Sequence, residues 1–193
     1  MEIKRMNKLV KELKQWLKAL IIAVAVVFVI NIFFAPMTVY GVSMNPTLDD
    51  KDVLILLKNT NYERGDIVSF KSDLVVSERN LNDLSLLQKL YLRFNPNMDL
   101  IKRVIAIPGD SVQIENGEVF VNSVKLDEVY LGSFTTGTIL IEQISPNEYF
   151  LMGDNRSNSI DSRSDSVGTI NADQIVGEVL FRVYPLSKVG QVD

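Results

Sequence analysis

Any covalent or acid–base chemistry that serine, lysine, carboxylate or tyrosine side chains carry in this chain must proceed without the usual partners. The 193 residues include no cysteine and no histidine. A Ser-His-Asp triad, a Cys-His pair and a thiolate or imidazole zinc site are therefore excluded. Proton transfer near neutral pH must fall to a lysine, a carboxylate or a tyrosine with a displaced pKa.

Three segments hold residues of that kind. In Gly41-Val42-Ser43-Met44-Asn45-Pro46-Thr47-Leu48, the β-prone run Thr38–Val42 leads into Ser43, and Pro46 restricts Asn45. That pattern can hold a hydroxyl at a strand end, or it can open an ordinary turn. In Leu100–Asp110, strand alternation puts Lys102 on one face with Leu100, Val104 and Ala106. A lysine on an apolar face is desolvated, which lowers its pKa toward that of a neutral base. The competing reading is a sheet-edge lysine that lifts its ammonium back to water. Arg103, on the opposite face, reads as structural. The third segment, Met152–Arg163, is dense in short polar and charged side chains. It can be a solvated loop or a rigid network that orients a catalytic group.

The elements around these segments are short strands. Asp52–Leu57, Ile67–Phe70, Ile101–Ile107, Val112–Ile114, Val119–Val121, Ile139–Glu142, Tyr149–Met152 and Ile175–Tyr184 are expected to be β, with turn signals between them. Asn116-Gly117 marks a hairpin. Leucines at three- to four-residue spacing predict one short helix over Asn80–Leu92. The expected fold is mainly β: one antiparallel catalytic domain over 36–193, with insertions near 71–99 and 112–148.

Ahead of this domain the sequence divides sharply. Residues 1–18 are basic, with Lys4, Arg5, Lys8, Lys11, Lys14 and Lys18 against Glu2 and Glu12. Residues 19–35 carry no charge, and as a helix they rise about 25 Å, near the lower limit for crossing a bilayer. A cleaved export signal fits poorly, because the apolar stretch is too long and Pro36 follows the one plausible cleavage residue. A buried core helix would show a polar stripe. The expectation is a single transmembrane anchor with its basic end in the cytoplasm and the β domain outside the cell membrane. Ser43 follows Ala35 by eight residues, so a fully extended link keeps it within about 26 Å of the membrane. The net charge of −4 argues against a nucleic-acid partner.

Taken in order, Ser-Met-x-Pro-Thr-Leu, Lys-Arg-Val-Ile-x-x-Pro-Gly-Asp and Gly-Asp-Asn-Arg-x-x-Ser-x-Asp-Ser-Arg resemble the boxes of bacterial type I signal peptidases. Arg64-Gly65-Asp66-Ile67-Val68 is similar to the remaining box. The resemblance extends from the anchor to about Pro185. It implies a Ser-Lys dyad, with Ser43 as nucleophile and its backbone N–H as oxyanion donor, and with a neutral Lys102 as general base. It implies that Ser159 hydrogen-bonds the lysine, that Asp161 and Arg163 form an ion pair, and that Asp154 and Arg156 give further support. The implied partners are secreted preprotein substrates and the lipid bilayer, with no metal or cofactor. Substrates would bind as an added strand and be cut after small-x-small sequences. Gram-negative relatives carry a serine two residues before the nucleophile, where this chain has Gly41. The second oxyanion donor therefore stays open, and Gly41 together with the compact 112–151 stretch looks Gram-positive. A non-catalytic or narrowly dedicated assembly factor for surface proteins or pili is the alternative on the same fold. A self-cleaving stress regulator would use a similar pair but lacks a lipid-length segment.

Overall fold

The computed structural model describes residues 2–58, 61–75 and 97–192. The helix expected over Asn80–Leu92 lies outside them.

The chain forms two compact units, Met1–Phe34 and Ala35–Asp193. The first is essentially one helix, α1 (Glu2–Phe33). Within it Leu9–Phe33 is long and apolar enough to cross a membrane, and none of that stretch is buried in protein. Leu, Ile, Val and Phe exposed on every side of a helix have no aqueous solution, so lipid is the solvent that fits this composition.

Among the described residues twelve strands follow, all but the first residue of the first strand within the second unit. They are β1 (Phe34–Thr38), β2 (Val53–Leu57), β3 (Ile67–Val75), β4 (Asn97–Ala106), β5 (Val112–Glu115) and β6 (Glu118–Val121), then β7 (Val124–Lys125), β8 (Ile139–Ile141), β9 (Glu148–Met152), β10 (Ile170–Asn171), β11 (Ile175–Tyr184) and β12 (Gly190–Gln191). A large sheet runs β1-β2-β11-β3-β4-β9-β10, with β12 pairing β11, and a small sheet runs β7-β6-β5-β8. The pairings from β2 onward are antiparallel. Asn116 and Gly117 both have positive φ and close the β5–β6 hairpin as the Asn-Gly signal predicts.

Two strands depart from expectation in ways that bear on the site. β1 begins at Phe34 and ends at Thr38, so Thr38–Val42 is not the strand that leads into Ser43. Val39 still pairs with the 51–52 backbone, but Gly41, at φ +85°, turns the chain away. A residue with a Cβ is strained in that conformation. Along β4, Ile101 to Ala106 are all buried rather than alternating. β4 is a central strand with β3 on one side and β9 on the other, and the sheet is covered on both faces. Three apolar clusters do the covering. One joins Met44, Leu48, Leu54, Leu56 and Ile101, and a second joins Val68, Phe70, Val104, Tyr149 and Leu151. The third packs the small sheet against Ile105, Ala106 and Phe150.

Candidate active site

Ser43 begins a tight turn rather than ending a strand. Asn45 donates its N–H to the Val42 carbonyl at 3.2 Å and Leu48 donates to Met44 at 2.9 Å, closing a hydrogen-bonded turn. Met44 and Leu48 of that turn are 1% and 0% exposed and join the same apolar cluster. Their burial anchors the turn from beneath and leaves Ser43 half-buried beside them. The carbonyl of Thr47 accepts from the Arg182 guanidinium at 2.6 Å, and Arg182 pairs with Asp52.

Lys102 reaches this serine from the centre of β4. Its Nζ donates to Ser43 Oγ at 2.8 Å and to the Ile101 carbonyl at 2.9 Å, and the residue is 1% exposed. Burial drives its pKa down to about 8, opposed by the charges of Asp161 and Asp154 and assisted by that of Arg163. An ammonium has three N–H groups, and among the described residues the site supplies acceptors for two. The neutral amine suits the same surroundings because it brings no charge into them. It can give one N–H to Ile101 and turn its lone pair to the Ser43 hydroxyl.

The polar segment after β9 wraps this pair. Arg103 is opposite Met152 in the β4–β9 ladder, which puts Lys102 beside Gly153. A Cβ on Gly153 would lie 2.5 Å from the Ser43 carbonyl oxygen and collide with the Ser159 hydroxyl. Only glycine permits that approach. Its N–H donates to Asp161 Oδ2 at 3.0 Å, and Arg163 grips the same carboxylate with Nε at 2.8 Å and Nη2 at 2.9 Å. Burial raises the Asp161 pKa, but these bonds and the Arg163 charge outweigh it and hold the carboxyl below its usual value. Asp161 is thus an anion close enough to act on Lys102 through space.

Ser159 stands differently from what the resemblance implies. Its hydroxyl is buried against Gly153 and makes no hydrogen bond, to Lys102 or to any other described residue. It lies beside Asp161 and helps hold that carboxyl low. The Lys102 amine is directed instead to Ser43 and Ile101.

Asp154 and Arg156 do not pair with each other. Asp154 is fully buried and takes two bonds from Arg103, at 3.0 and 2.8 Å, and one from Thr47 Oγ1 at 2.5 Å. This ties the Lys102 strand to the Ser43 turn. Arg156 turns the other way, to Glu128, to Thr135 Oγ1 and to the Gly153 carbonyl. Glu128, Tyr130 and Thr135 went unnoticed in the sequence. They lie in an irregular stretch between β7 and β8 that crosses over the site, with the Tyr130 ring 4.0 Å from the Arg103 guanidinium. The one available signal was the need of a buried arginine for a carboxylate.

The family model described as "Signal peptidase, peptidase S26" matches residues 13–184, and the chain belongs to that family. It is a serine peptidase of the signal peptidase class, membrane-anchored through its apolar N-terminal helix. Signal peptidase IB of Staphylococcus aureus is 34% identical over 92% of this chain and 93% of its own length. Signal peptidase I of Bacillus licheniformis is 32% identical, over 93% and 92% respectively. A crystal structure of a signal peptidase I from Enterococcus faecalis matches with a TM-score of 0.45 at 22% identity, covering 62% of this chain and 97% of that one.

Proposed function

We propose that the protein removes signal peptides from exported preproteins by a Ser43–Lys102 dyad. Neutral Lys102 accepts the hydroxyl proton as Ser43 Oγ attacks the scissile carbonyl carbon, whose π electrons move to oxygen. The backbone N–H of Ser43 donates to that oxyanion. The ammonium then protonates the leaving amine as the C–N bond breaks, leaving an ester on Ser43. Lys102, neutral again, takes a proton from the water that hydrolyses the ester. Asp161 with Arg163, Asp154 with Arg103, and Arg156 hold the reacting pair in place, and Ser159 packs beside it.

The observation that carries this reading is the 2.8 Å contact between Ser43 Oγ and an amine that burial holds near pKa 8. With both groups in place, nothing favours a non-catalytic assembly role. The same reading takes residues 1–18 as a cytoplasmic tail, 19–35 as the anchor, and 36–193 as an extracytoplasmic domain acting close to the bilayer. Cleavage falls after small-x-small sequences, with substrate lying as an extended strand.

The test is cleavage of a preprotein with an Ala-x-Ala site by the full chain in liposomes, with the new N-terminus sequenced. Cleavage directly after the second alanine supports the reading. Intact substrate in the presence of folded enzyme, across several such preproteins, would overturn it.

A further inference from the structure

Ser43 is flanked by two peptide units, and Asn155 binds both. Its backbone N–H donates to the Ser43 carbonyl at 3.0 Å, and its side-chain Nδ2 donates to the Val42 carbonyl at 3.1 Å. The Val42 carbonyl belongs to the same planar peptide as the Ser43 N–H. Whatever fixes the direction of that carbonyl fixes the direction of the N–H on the other side of the plane. A donor on the carbonyl also polarises the amide and strengthens its N–H as a donor.

The Asn155 amide has its own orientation set. Its Oδ1 accepts from Ser133 Oγ at 3.2 Å and from Ser157 Oγ at 3.3 Å, so Nδ2 must face Val42. Ser133 Oγ accepts the Ser157 N–H at 3.0 Å, which leaves its own proton for Asn155. At Gly41 there is no side chain to add a second donor, so the aim of the Ser43 N–H matters more here.

We infer that Asn155 is a positioning residue that orients and polarises the Val42–Ser43 peptide so that the Ser43 N–H meets the oxyanion. The inference rests on the dyad reading above. It predicts a defect confined to the tetrahedral state, because Asn155 does not touch Lys102 and has no part in its protonation.

The experiment compares wild type, Asn155→Ala, Asn155→Asp and Ser43→Ala on a peptide substrate. Inhibition is measured with the matching peptide aldehyde and the corresponding peptide alcohol. The aldehyde carbon bonds to Ser43 Oγ and its oxygen becomes the hemiacetal oxyanion, whereas the alcohol binds without a new bond. Asn155→Asp keeps shape and backbone N–H but sets a carboxylate oxygen against the Val42 carbonyl. It therefore serves even where Asn155→Ala loses fold.

Removing a direct oxyanion donor costs about 100- to 1000-fold in kcat, and loss of its orienting partner should cost about 10- to 100-fold. The expected result is that drop in kcat for both variants with KM within about twofold. The pH midpoint of Asn155→Ala stays unchanged, and in both variants aldehyde affinity falls in step with kcat/KM while alcohol affinity is retained. Full kcat in the folded variants, or equal weakening of aldehyde and alcohol, would overturn the role of Asn155. Undiminished cleavage by Ser43→Ala would instead overturn the dyad beneath it.

Discussion

The Lys102 amine sits 2.8 Å from the Ser43 hydroxyl with 1% of the lysine exposed, and the two residues reach each other from elements 59 positions apart. Lysine comes from the middle of a central strand, serine from a turn pinned by Met44 and Leu48. Burial discourages the charged amine, and the nearby anions Asp161 and Asp154 restrain that effect. The balance leaves an amine that exchanges its proton slightly above neutrality.

The pH dependence follows from that balance. Lys102 is the base only when neutral, so kcat/KM should fall about tenfold per pH unit below a midpoint near 8 and level off above it. Lys102→Arg should be inactive at every pH, since a guanidinium stays protonated. Initial rates at substrate concentrations below KM, from pH 5 to 10, give the profile. A rate flat down to pH 5 would contradict the assignment.

Asp161→Asn has a prediction of definite sign. The Asp161 charge raises the Lys102 pKa and that of Arg163 lowers it, so neutralising the aspartate leaves only Asp154 to oppose burial and the arginine. The midpoint of the kcat/KM profile should move below that of wild type. Stability should change too. The Asp161 carboxyl is depressed in the folded state, so its contribution is present above the ordinary carboxylate range and is lost as pH falls through the folded pKa. The variant should lack that share of the acid-induced loss, read from melting curves between pH 2 and 7.

Gly153→Ala tests the close approach between the two halves of the site. The added methyl must displace both the Ser43 carbonyl and the Ser159 side chain. A misplacement on the order of 1 Å costs about 100-fold in rate, and kcat should fall by that much with the chain still folded by circular dichroism.

Much of this site was legible because its chemistry sits in contiguous runs. Ser43, Lys102 and the 152–163 segment stood out by residue type, each with an ordinary structural reading beside it, and the order of the three boxes in the family resemblance supplied their roles. Harder to see was what lies between them. Glu128, Tyr130 and Thr135 come from a stretch with no helical or strand period, and their partners Arg156 and Arg103 are some 20 or more residues away. The β-prone run at 38–42 misled because Gly41 and the bond from its N–H to Asp50 divert the chain before Ser43. β7, β10 and β12 have two residues each, too few to show alternation. On β4 alternation failed because both faces are covered, so Lys102 is buried more completely than an apolar-face argument predicts.

The Arg156–Glu128 pair offers a stability test apart from the chemistry. Both side chains are nearly inaccessible, at 0% and 7%. Stripping one partner from a buried pair costs about 3 kcal/mol because the other charge is stranded. Glu128→Ala should lower the melting temperature by about 10 °C for a chain of this size. Thermal unfolding in detergent, followed by near-ultraviolet circular dichroism, reads it directly.

The central claim is that Ser43 and Lys102 act as one unit. Preprotein cleavage by wild type, Ser43→Ala, Lys102→Ala and the double variant tests it most directly. The account predicts that each single variant loses about 1000-fold or more and that the double variant is no worse than either. Losses that multiply in the double variant, or substantial cleavage by either single variant, would contradict it.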